Sequence, residues 1–267
     1  MKSYVSFFRI QLTAGLQYRA AALAGISTQF AWGFMEILLF SAFYRADPNA
    51  FPMNFSDLSS YIWLQQGLLA LTASWFIDTN ILNTITSGNL AYELCRPINL
   101  YNMWIIKNMA SRISKAVLRC FPIFIIAAML PAPYRLSFSP NLFTFFIFLF
   151  SLLLGFLLIN AYSMLVYILT FYTLSPVGVR IIWLAASEFL TGALIPIPFF
   201  PESMQTVLKF LPFAAMQNLP FRIYSGDIAG TEMINSLILQ IVWTIVLLLC
   251  GYVWANRMLK KAVIQGG

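Results

Sequence analysis

The side chains able to carry chemistry are few and far apart. Cys95, Cys120 and Cys250 show no CxxC spacing, so neither a thiolate metal site nor a disulfide framework is suggested. Histidine is absent, which removes the commonest general base, the commonest zinc ligand and every Ser-His or Cys-His pair. No GxSxG or HExxH arrangement replaces them. The expectation is a chain with no catalytic residue and no metal ligand. Two acids, Glu36 and Glu188, lie inside long apolar runs. A charge there is costly and ordinarily faces a bundle interior or a water-filled cavity. They are therefore candidates to line a translocation path for a cationic or zwitterionic amphiphile, or else carboxyls protonated or hydrogen-bonded between helices.

The elements that must position these residues follow from composition. Of 267 residues, 60% are hydrophobic and 9% charged, whereas roughly a quarter of a soluble protein is charged. Several stretches reach the roughly 20 apolar residues that a helix needs to cross about 30 Å of hydrocarbon. The chain is read as an all-α, multi-pass integral membrane protein. Its basic residues, which leave a net charge of +7, flank apolar runs singly and form no patch with stacking aromatics, so nucleic acid is not expected as a partner.

Six spans are expected, at about 21–44, 61–77, 116–130, 142–170, 179–195 and 233–255. Residues 1–20 place Val5, Phe8, Leu12 and Leu16 at helical spacing, the pattern of an interfacial helix lying on lipid. This start lacks signal-peptide organisation and is expected to be retained. Lys107, Arg112, Lys115 and Arg119 recur at intervals that let long cations snorkel toward headgroups. Only Arg45, Arg135, Lys209 and Arg222 of the 16 Lys and Arg fall on one side if both termini share the other. The positive-inside rule then makes both termini cytosolic. Residues 1–267 read as one transmembrane domain, with a cytosolic loop at 79–115 and an external region at 196–226.

Two non-spanning stretches have internal order. In "ITSGNLAYELCRPIN", residues 85–99, Ser87 or Asn89 can cap a short helix, Leu90, Leu94 and Tyr92 give it an apolar edge, and Pro97 ends it. A helix this short is not stable alone. It either caps the cytosolic end of the bundle or docks on another protein. Glu93 and Arg96 either contribute to a docking surface or pair with each other at i, i+3. On the external side, Pro201 and Pro212 read as the starts of two short helices. Apolar broken backbone of this kind must be sheltered by protein or line a cavity, so residues 196–226 are expected to re-enter the membrane or, failing that, to rest on its surface.

The first of these stretches resembles the I-x-x-G-x-L-x-x-x-L-x-R-P-I/V segment of type-2 ABC transporter permeases, the transmembrane subunits of ABC exporters. The second, "GALIPIPFFPESMQTVLKFLPFAAMQNLPFRIYSG", is similar to the same family's G-x-x-I-P-x-x-x-F-P … L-P-F … P-x-x-I-x-x-G region. They stand more than 90 residues apart, in the family's order. The resemblance implies an exporter permease whose Gly88, Asn89, Leu90, Ala91, Tyr92, Glu93, Leu94, Arg96 and Pro97 form the coupling helix that docks on a separate ABC ATPase subunit. Pro196, Pro198, Pro201, Leu211, Pro212, Phe213 and Pro220 would belong to an external gate. It also implies a second permease subunit, identical or related, and a bacterial inner membrane. ATP and magnesium would sit on the partner ATPase, and no cofactor in this chain. The sequence agrees on one point by itself, because it holds no G-x-x-x-x-G-K-[ST] phosphate loop. The competing reading is an ion- or proton-coupled secondary transporter or channel using Glu36 and Glu188. Broken spans in matching halves would favour it, but the prolines cluster once and no internal repeat is seen.

Overall fold

The computed structural model describes residues 2–47, 52–138 and 141–260, and every regular element among them is helical. Residues 48–51 between the first two expected spans, 139–140 before the fourth, and 261–267 after the sixth lie outside the described residues. The long elements are α1 (Lys2–Leu16), α2 (Arg19–Ala46), α3 (Phe55–Thr72), α6 (Leu100–Met129), α7 (Leu142–Thr173), α8 (Pro176–Leu190) and α12 (Gly230–Leu259). Between α3 and α6 stand α4 (Thr79–Thr86) and α5 (Leu90–Leu94). Between α8 and α12 stand a 3-10 turn at Ile197–Phe199, α9 (Glu202–Phe210), α10 (Pro212–Met216) and α11 (Asn218–Ser225).

Three helices, α2, α7 and α12, are long and apolar enough to cross a membrane, at 28, 32 and 30 residues. At 1.5 Å per residue they reach roughly 42–48 Å, so each crosses with tilt or overhang. α7 and α12 run side by side, and α3 packs between α2, α6 and α11. α3 is the central rod, with Leu58, Tyr61, Ile62 and Trp63 at 0% exposure. It starts six residues before the expected 61 and stops at Thr72 rather than 77. The early start is possible because Ser59 and Ser60 are buried, where small side chains let helices approach.

The cations on α6 depart from expectation. Arg112 is 1% exposed. Its Nη1 donates to the carbonyls of Leu71 (3.3 Å) and Ala73 (2.8 Å), and its Nη2 to Phe76 O (2.8 Å) and Ser163 Oγ (3.2 Å). The last carbonyls of a helix have no intrahelical partner and carry negative partial charge, so a guanidinium there both satisfies and ends α3. Lys107 pairs with Asp78 at 3.1 Å, and the Lys115 ammonium stands 4.3 Å from the Phe76 ring centre. Arg112 and Lys107 thus turn into protein rather than toward headgroups.

α1 departs as well. It packs lengthwise along the first half of α6, with Tyr4 Oη accepting from Asn99 N at 3.0 Å. A Cβ at Gly15 would lie 2.1 Å from Ser114 Oγ, so a glycine is what lets the two helices touch. The face turned to protein carries Tyr4, Phe7, Gln11 and Gly15 beside Phe8, Leu12 and Leu16, whereas Val5 is 66% exposed. The fifth expected span is also cut short. α8 has 15 residues, about 22 Å, and the chain turns at Gly192 with φ +77. A side chain there would be strained, and its Cβ would sit 3.0 Å from Ile197.

Candidate functional site

The segment between α3 and α6 is built from Asp78 upward. Asp78 caps α4, accepting from Asn80 N at 2.8 Å, and its own N–H donates to Tyr167 Oη at 2.8 Å. Together with its pairing to Lys107, this pins the start of α4 to both α6 and α7. α4 buries Ile81, Leu82 and Ile85 in a cluster with Leu100, Trp104, Tyr167 and Met258. Gly88, at φ +75, then turns the chain into α5, a conformation in which a Cβ would be strained.

α5 holds on by few contacts. Leu90 is 5% exposed and joins the same cluster. Glu93 accepts from Trp104 Nε1 at 2.6 Å. Asn89 stands at the cap position but makes no side-chain capping bond, and Ser87 ends α4 instead of starting α5. Arg96 reaches Met103 Sδ at 3.7 Å. The i, i+3 pair between Glu93 and Arg96 does not form, because Trp104 takes the carboxylate. The apolar edge is divided: Leu90 points in, while Tyr92 at 77% and Leu94 at 38% exposure point out beside exposed Arg96 and Pro97. Ala91 is half-buried between them.

The region between α8 and α12 has the opposite character. Pro196 precedes the 3-10 turn and Pro198 is buried within it; Pro201 precedes α9, and Leu211–Pro212 opens α10. Phe213 meets the Tyr162 ring edge-on at 5.6 Å, and Pro220 is buried in the first turn of α11. The carbonyls freed by these breaks are met by side chains. Gln65 Nε2 donates to Ala193 O at 2.6 Å, and Gln205 Nε2 to Pro198 O and Phe200 O at 3.0 and 2.8 Å. Gln240 Nε2 donates to Ala215 O at 2.7 Å while its Oε1 accepts from Ser151 Oγ at 2.9 Å. Trp243 Nε1 donates to Phe210 O at 2.9 Å. Tyr61 Oη donates to Asn218 at 3.1 Å, and Arg222 pairs with Asp227.

Depth follows from the partners. A Cβ at Gly155 would meet Met216 O at 2.5 Å, so α10 ends against the backbone of α7. Gly155 lies about 20 Å along α7 from Leu142, and Gln240 about 15 Å along α12 from Gly230. The break thus sits roughly a third of the way along α12 and roughly two-fifths of the way along α7.

Glu36 and Glu188 are not gathered into one constellation. Glu36 is half-buried beside Gln66, with Oε1 buried and unpartnered, on a helix packed against α3 and α6. Glu188 is half-buried on α8, which packs against α7 and α10. Gln29, at 3% exposure, shares the inward face of α2 with Glu36, and neither amide atom has a partner. Sequence reading passed over Asp78, Gln65 and Gln240, and took Arg112 for a cation snorkelling toward headgroups. The D-T-N cap was a readable signal for the first, and lone amides within apolar runs for the next two. Nothing in the sequence distinguished Arg112 from its cationic neighbours.

Comparison with known proteins bears on this arrangement. A family described as ABC-2 family transporter protein matches residues 30–266. No curated protein matches the chain.

Proposed function

The chain belongs to the ABC-2 family of transporter proteins, as an integral membrane transport subunit, and from that premise we propose that it is the permease of an ATP-driven exporter. Two such subunits, identical or related, enclose the pathway and alternate its access, and a separate ABC ATPase supplies the force. In this reading the chain crosses the bacterial inner membrane six times, α3, α6 and the short α8 completing the set. Both termini are cytosolic and residues 196–226 close the external side.

The observation that carries the proposal is the α4–α5 protrusion. Force applied at its tip reaches the spans only if its base is rigid. Its base is tied to α6 and α7 through Asp78, Leu90 and Glu93, while Tyr92, Leu94 and Arg96 stand outward. Tyrosine and arginine are among the residue types enriched at the hot spots of protein interfaces.

The test is the double substitution Tyr92→Ala, Leu94→Asp. The expected outcome is loss of copurification with the ATPase subunit at unchanged thermal stability, since exposed substitutions of this kind move stability by about 0.5 kcal/mol or less. A stable complex with full transport-coupled ATP hydrolysis would refute the docking role.

A further inference from the structure

α6 turns Arg112, Lys115 and Arg119 toward one side at i, i+3, i+7. α1, the α1–α2 corner and the start of α4 close against that side and leave a cleft of about 440 Å³, within the ~300–1,000 Å³ range of small-molecule sites. Gln11, Tyr18, Ser111, Lys107, Lys115 and Arg119 give it polar walls. It shares Asn80, Ser111 and Lys115 with a smaller cavity of about 230 Å³ that Arg112 lines.

The charge of this cleft is not balanced by protein. Its one lining acid, Asp78, is engaged by Lys107 and by the backbone of Asn80. None of the ion pairs among the described residues involves Lys115 or Arg119. Both are nonetheless held in place. Lys115 rests over Phe76. Arg119 lies against α2 at Gly25, where a Cβ would come within 2.4 Å of its Cζ, and its Nε is buried without a hydrogen-bond partner. Ordered cations with an unsatisfied donor suit an anion with several acceptor oxygens.

The remaining walls are apolar, formed by Ala14, Ala21, Ala22 and Leu118. The helices that leave the cleft for the membrane carry exposed Leu23, Val117 and Phe121. We infer that the cleft binds the phosphate-bearing headgroup of an anionic phospholipid, with Lys115 and Arg119 on the phosphate and the acyl chains running out over α2 and α6. The apolar wall and its continuation favour a lipid over a free anion, and a cationic pocket between helices at the cytosolic face is where acidic headgroups are bound. Such a lipid fastens α1 to α2 and α6 across the corner at Gln17 and Tyr18. The inference rests on α2 entering the membrane with the α1–α2 corner on the cytosolic side, as in the proposed function, and not on ATPase docking.

The full chain in dodecyl maltoside is titrated with dioctanoyl phosphatidylglycerol, dioctanoyl phosphatidylcholine, glycerophosphoglycerol and inorganic phosphate. Native mass spectrometry reads adducts and thermal unfolding reads protection. Phosphatidylglycerol is expected to be retained at concentrations at least tenfold below phosphatidylcholine, and the Lys115→Gln, Arg119→Gln double variant to weaken it by about tenfold or more, as loss of charge-assisted bonds requires. Lys209→Gln, which lies outside the cleft and breaks the pair with Glu232, should leave retention unchanged. Ala21→Phe, at an exposed position on the cleft wall, should reduce it without removing a charge, and decides the matter if the double variant does not fold. Equal retention of the two lipids, or unchanged retention in the folded variants, overturns the inference. Equal protection by glycerophosphoglycerol or inorganic phosphate overturns the lipid and assigns the cleft to a soluble phosphate.

Discussion

The α4–α5 protrusion and the α9–α11 break are both made of short helices separated by glycine or proline, and they are used in opposite ways. α5 buries one residue of five, Leu90, whereas α11 buries six of eight. The break is bonded from outside itself: Gln65 reaches from α3 to Ala193 O ahead of it, and Gln240 from α12 to Ala215 O in α10 at its middle. The protrusion is held at its root and leaves its tip to solvent. Backbone irregularity away from water requires partners from neighbouring elements, while irregularity in water does not. A short helix free of such partners can give its side chains to another protein.

The sharpest way to break this contrast is to attack the protrusion at its root. Leu90→Asp places a carboxylate in the cluster of Ile85, Leu100 and Trp104 and is expected to cost roughly 4 kcal/mol or more, read as loss of monodisperse protein rather than loss of docking alone. Wild-type unfolding behaviour in that variant would mean Leu90 belongs to the docking surface. At the break, Gln240→Leu leaves Ala215 O and Ser151 Oγ without their partner, and thermal unfolding should show a loss of about 1–3 kcal/mol. No loss would mean that the break needs no bonding from α12. The smallest effect is expected from Trp104→Phe, which keeps the ring buried but frees Glu93. Stability should fall by about 1 kcal/mol while the ATPase of the assembled complex loses its dependence on transported substrate, since α5 is then tethered only by Leu90 and the Arg96–Met103 contact that follows it. Unaltered coupling would show that the Glu93 bond does not stiffen the protrusion.

Much of the frame was legible. Pro212 opens α10 where proline fits a first turn, Pro201 stands at the cap just before α9, and the short helix falls between Gly88 and Pro97 because those residues bound it. Span limits were less legible. α3 runs early because Ser59 and Ser60 are buried, and a hydropathy reading counts them as polar whichever way they face. α8 ends at Leu190 because Gly192 takes a positive φ, and glycine alone does not announce which sign it adopts. At the protrusion, capping by Asn89 and pairing of Glu93 with Arg96 were both locally sound. Trp104, eleven residues on, outcompeted the second, and no local pattern reports a partner at that distance.

By itself the sequence determined that this is a helical membrane protein without catalytic histidine or phosphate loop, and where its chain must bend, because hydrophobicity, helix propensity and the restrictions on glycine and proline are properties of a segment. Only the tertiary structure decided which way its polar side chains face. Arg112 at the end of α3, Gln240 under α10 and Arg119 beside Gly25 occupy helix positions that suit exposure equally well. A donor is committed by the acceptor that packing brings to it, and the energy of that choice belongs to the pair.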